Sequence, residues 1–122
     1  FGKAVSAGEL LKKVEKGLGY ASCRLFGSPK KIRRFALLIG RGGENQWHIA
    51  QAARDMGAEA VIIGEMSEFT VIAFMEMGLP VVESLHSVSE MPGIRNQAAA
   101  MAKALGGVNV EFIPSGASRF TP

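Results

Sequence analysis

The sequence predicts an α/β fold: a single three-layer αβα domain over a mostly parallel, mixed sheet. Three observations carry this. Unbroken apolar runs recur at 35–39 (FALLI) and 60–63 (AVII), the mark of strands covered on both faces. A third strand, 79–85, opens on Pro80-Val81-Val82. Segments with helical apolar spacing separate the runs, and buried strands joined in this way imply right-handed crossovers.

In order, Ser6-Ala7-Gly8-Glu9 reads as a capping box ahead of Leu10, Leu11, Val14 and Leu18, a helical stripe. Gly17 and Gly19 are expected to end that helix. Residues 20–26 (YASCRLF) read as a short strand, with a turn at 27–30. That strand could run antiparallel to the one after the turn. Ile49, Ala52, Ala53 and Met56 are expected to form the buried stripe of the second helix. Ser67 is expected to cap a third, with Val71, Ile72, Met75 and Leu79 inward. Residues 94–105 read as the last helix and 108–113 (VNVEFI) as an edge strand. The order is α-β-(β-α)3-β, with 115–122 as a tail.

The 122 residues suit one domain, 1–122. No apolar run approaches the ~20 residues of a membrane span, and the first residues lack a signal-peptide core. A single Cys23 excludes an internal disulfide framework and fits a reducing, cytoplasmic setting. Its thiol reads as inert. A chain opening on Phe1 is expected to be a fragment or a processed product. Residues 1–34 hold nine basic and two acidic side chains, and the rest holds five and nine. The basic segment reads chiefly as a solvated face. Without interleaved aromatics it gives no nucleic-acid platform.

Three stretches are candidates for chemistry. Gly40–Asn45 (GRGGEN) follows a strand and opens a helix, where backbone N–H groups can hold an anion. It lacks the third glycine of a dinucleotide fingerprint and the Lys of a P-loop, so a tight turn is the better reading. Glu65 and Glu68 follow the 60–63 strand; they either line a site or are solvated charges. His86 and Glu90 stand at the carboxyl end of the third strand, where open α/β sheets bind ligands. They can share one metal ion or simply pair with each other. His48 reads as a surface residue. No serine-nucleophile elbow or Cys–His arrangement is present.

The run from 34 to 113 resembles the carboxyl-terminal half of the NIF-three-like family, also known as GTP cyclohydrolase I type 2 homologues. The resemblance rests on FALLIGRGGE, ARDMGAEAVIIGE, LPVVESLHSVSEMPGI and the terminal VNVEFIP. It implies a metal-dependent hydrolase acting on a nucleotide or phosphate compound. His86 and Glu90 match a His-x-x-x-Glu element that completes a site for two divalent ions, whether zinc, iron, manganese or magnesium. Glu65 keeps an acidic position beside it. The remaining ligands would come from an amino-terminal half, so the isolated chain is expected to hold an incomplete, inactive site. One departure is Phe69, near the place of a family His. Self-association as a homo-oligomer is implied too, with 20–26 and 108–113 as the expected margins. The alternative is a non-catalytic oligomerisation or protein-binding module. No membrane or nucleic-acid partner is expected.

Overall fold

A computed structural model of the chain describes residues 2–28, 30–42 and 47–116. A short strand β1 (Val5–Ser6) leads into helix α1 (Ala7–Leu18). Strands β2 (Arg24–Phe26), β3 (Lys31–Ile32) and β4 (Phe35–Gly42) follow. Then come α2 (Trp47–Asp55), β5 (Ala60–Met66), α3 (Glu68–Glu76), β6 (Val81–Glu83) and α4 (His86–Ala104). The main sheet has the order β2-β6-β5-β4, and β1 pairs antiparallel with β3 in a separate ribbon.

The three apolar runs are neighbours and parallel, as expected: Leu37 aligns with Ile62, and Ile62 with Val82. The sheet is mixed because β2 runs antiparallel to β6. The early strand therefore does not pair with the strand after it. Residues 31–32 instead form β3 with β1, and the next strand, β4, lies at the opposite edge of the main sheet. The early strand is also shorter than 20–26, since only Arg24–Phe26 find partners on β6.

Alternation along the strands divides the core in two. Ala60, Ile62 and Val82 pack with Ala7 and Leu10 of α1. Val61, Ile63 and Val81 pack with Ala50 of α2 and Phe74 of α3 on the other face. Helix α4 lies over β4 and β5 beside α1, which gives the three layers. The capping box forms: Glu9 N–H donates to Ser6 Oγ at 3.2 Å, and Ser6 N–H to Glu9 Oε2 at 2.6 Å. Ser67 caps α3.

Several expectations need correction. Phe35–Gly42 is an edge strand, so Leu37 and Ile39 are 59% and 57% exposed rather than covered on both faces. Gly40 to Gly42 continue that strand instead of forming a loop; Gly43, Glu44 and Asn45 lie outside the described residues. The buried faces of α2 and α3 are rotated. Ala50 and Ala53, then Thr70 and Phe74, point inward, while Met56, Ile72 and Met75 are exposed.

Helix α4 begins at His86, eight residues earlier than expected. Pro92 lies inside it, and a proline there removes one backbone donor without ending the helix. Residues 108–113 form no strand, because alternation without a neighbouring ladder gives no pairing. Phe112 lies under the Arg95 guanidinium, 5.0 Å from ring centroid to Cζ, and Ser115 Oγ bonds Ser87 Oγ at 3.0 Å. That segment returns along α4. Residues 117–122 of the tail lie outside the described residues.

At the far edge, Arg24 and Glu83 are register partners with Nη2 and Oε2 2.5 Å apart. Glu83 is 2% exposed, and its other oxygen accepts the Met66 N–H at 2.9 Å. This pair ties β2 to β6 and caps the end of β5.

Candidate functional site

The chain leaves β6 at Ser84, whose N–H donates to Ile63 O at 3.0 Å, and Leu85 is the N-cap of α4. His86 is the first helical residue, so Glu90 lies one turn above it on the same face. His86 Nε2 and Glu90 Oε1 are 3.1 Å apart. On the opposite edge of the ring, Nδ1 is 3.1 Å from Glu65 Oε1. Glu65 belongs to β5, inside the strand rather than past it, and its register partner Arg41 brings Nε to 3.7 Å of the same oxygen. The structure thus joins β4, β5 and α4 at the carboxyl end of the sheet. All three sequence candidates, Glu65, His86 and Glu90, meet there, each roughly half-exposed.

The imidazole stands between two carboxylates, and its pKa is raised above the ordinary value. The hydrogen bond to Glu65 is the largest cause; desolvation opposes it, and the charge of Glu90 adds to the rise. In a neutral ring with its proton on Nδ1, Glu65 accepts that proton. The Nε2 lone pair then faces the Glu90 carboxylate, an arrangement that is repulsive unless a cation stands between them. A proton meets that need, and so does a metal ion.

The spacing fits a metal. Two bonds of about 2.0–2.2 Å meeting at about 90–109° span roughly 2.8–3.6 Å, and the observed gap is 3.1 Å. Gly40 keeps the approach open: a Cβ there would lie 3.2 Å from Glu90 Oε1 and 3.4 Å from His86 Nε2. Glu65, bonded to the far nitrogen, would orient the ring as carboxylates do behind metal-bound histidines. Among the described residues no cluster of three or more His, Cys, Asp or Glu is placed to hold one ion. The chain offers two donors, with Glu65 behind one of them.

Other candidates fall elsewhere. Glu68 opens α3 and lines a separate hollow with Arg24, Phe26 and Glu83. His48 is exposed beside Trp47. Phe69 is an exposed residue of α3. Ser89 is a site residue that no sequence pattern marks. Its hydroxyl donates to His86 O at 2.7 Å and accepts the Gly40 N–H at 3.0 Å. Nothing in H-x-x-S-E marks a serine for that position.

The family profile Duf34/NIF3 (NGG1p interacting factor 3) matches residues 1–119. No curated protein matches significantly. Among solved structures, a Bacillus cereus protein related to NIF3 superposes with a TM-score of 0.72 at 23% identity, over 95% of this chain and 32% of that one. The protein ybgI, of unknown function, gives 0.72 at 27% identity, over 90% and 43%. A Staphylococcus aureus hypothetical protein gives 0.67 at 16% identity, over 88% and 35%. The chain spans about a third to two-fifths of the length of these structures.

Proposed function

Because the chain belongs to the Duf34/NIF3 family, we propose that it contributes a two-residue metal-ligating element to a metal-dependent hydrolase acting on a nucleotide or phosphate compound. The observation that carries this is the 3.1 Å gap between His86 Nε2 and Glu90 Oε1, flanked by Glu65 on the other ring nitrogen. A divalent ion bound there would supply Lewis-acid polarisation and a lowered water pKa. His86 and Glu90 would hold it, and Glu65 would fix the ring and its tautomer. Arg41, at the rim and largely exposed, offers a guanidinium to an anionic substrate group. Zinc, iron, manganese and magnesium all remain within this reading, since a His–Glu pair selects weakly among them.

Two protein donors leave most of the coordination sphere to water, so the isolated chain is expected to bind metal weakly and to lack activity. The further ligands would come from residues beyond this chain. Calorimetric titration with zinc tests the reading. Weak binding with one site per chain, lost in His86→Ala and in Glu90→Gln, is the expected result. Zinc binding unchanged in both variants would contradict it.

A cytoplasmic setting belongs to the same reading. It is supported by the lone Cys23, whose thiol burial pushes up to about 11 and keeps unreactive. None of the described helices is long and apolar enough to cross a membrane.

A second reading, a homo-oligomerising or protein-binding module, is favoured by strand β4. It is the longest strand, no described strand pairs its outer edge, and Leu37 and Ile39 are exposed on it. Long apolar edges invite pairing with another chain. Of the two margins expected from the sequence, the early strand does form the opposite edge of the sheet, as β2, while 108–113 forms no strand.

A further inference from the structure

Helix α4 meets β4 through the hydroxyl of Ser89, where Gly40 on β4 and Gly64 on β5 leave room for it. Ser89 Oγ donates to His86 O at 2.7 Å, within its own helical turn, and accepts the Gly40 N–H at 3.0 Å from the facing strand. Gly40 is the point where the pairing of β4 with β5 slips, between Leu38 and Arg41, and its φ of 79° is left-handed. Gly64, on β5, sits beneath both: a Cβ there would collide with Gly40 O and stand 2.5 Å from Ser89 Oγ. The Ser89 side-chain oxygen thus bridges helix and strand where the glycines leave room for it.

That bridge lies between the two candidate donors in the chain. His86 is three residues before Ser89, and Glu90 is the next residue. Leu85 gives α4 no side-chain cap, so the Ser89 hydroxyl is the tie that this first turn has to the bend at Gly40. A serine hydroxyl can donate one hydrogen bond and accept another, and here both roles are filled.

We infer that Ser89 is the positioning residue of the His86–Glu90 pair: its hydroxyl fastens the first turn of α4 to the Gly40 bend and so sets the gap that a divalent cation enters. Ser89 itself touches no ligand. The inference rests on the metal reading above, and its test separates the two.

The variants are Ser89→Ala, Ser89→Val and Ser89→Thr, each on the full chain. Zinc affinity is read by competition with a chromophoric chelator. Amide hydrogen exchange at Gly40 and the ring signals of His86 are read by NMR in metal-free protein. Ser89→Ala and Ser89→Val should weaken zinc about tenfold or more, the size of effect that removing an outer-shell partner has. Both should speed Gly40 exchange while the amides of Val61 and Val82 stay protected. Ser89→Thr, which keeps the hydroxyl, should restore both. Valine has the shape of threonine without the hydroxyl and binds no zinc, so the Val–Thr comparison serves if the alanine variant fails to fold.

Zinc affinity unchanged in the Ala or Val variant would overturn the inference. If the wild-type chain binds no zinc, the metal reading fails and the fastening is judged alone. Faster Gly40 exchange with displaced His86 signals would then support it, and their constancy would overturn it.

Discussion

Glu65 and His86 are 21 positions apart in the chain, yet Oε1 of one lies 3.1 Å from Nδ1 of the other. The contact exists because β5 and β6 are parallel neighbours that end at the same side of the sheet. A strand that runs on to Met66 and a helix that starts at His86 bring their side chains to one place. Glu90 comes from the next turn, and the ring is held from both sides.

This predicts an elevated His86 titration. The folded-state pKa lies above the ordinary ~6.5 of an unfolded histidine. The paired imidazolium therefore stabilises the fold fully below the unfolded pKa, and that contribution disappears as pH rises through the folded value. Glu65→Gln removes the largest cause of the rise. NMR titration of the ring should show a midpoint above the ordinary value in the wild type and a clearly lower one in the variant. Equal midpoints would mean that Glu65 does not govern the ring. Because a metal must displace the Nε2 proton, zinc affinity should climb with pH across the same titration.

Strand β4 makes a prediction about assembly. The strand carries no charge between Phe35 and Gly40, and Leu37 and Ile39 are exposed on it. Sedimentation should show a mass above 13.0 kDa that depends on concentration. Leu37→Lys or Ile39→Lys should return the chain to monomer, because a charge on an edge discourages pairing. Phe69→Lys, on exposed α3, should not. A monomer at every concentration, or an assembly lost only with Phe69→Lys, would rule the margin out.

The parallel core could be read from the sequence because runs such as FALLI and AVII have few other uses in a chain with helices between them. The capping box was legible for the same reason: its donors and acceptors are local. The register of the edges was not. β2 pairs with β6 at the edge opposite β4, and no local signal announces a partner about sixty residues on. Residues 108–113 alternate like a strand but are left without a ladder, so they pack Phe112 under Arg95 instead. Pro92-Gly93 resembles a helix start, which masks the true beginning of α4 at His86. The real start at His86 is what puts Glu90 one turn away. His86, Glu90 and Glu65 were visible as chemistry-bearing residues. Ser89, Gly40 and Gly64 were not, since their roles depend on how closely a strand and a helix approach.

The central claim is that His86 and Glu90 can hold one divalent ion between them. Crystals of the chain soaked in zinc and measured at the zinc absorption edge test it most directly. The account predicts one anomalous peak per chain between His86 Nε2 and Glu90 Oε1, at about 2.0–2.2 Å from each. A peak elsewhere, or zinc-soaked crystals with Nε2 and Oε1 still in direct contact and no density between them, would contradict it.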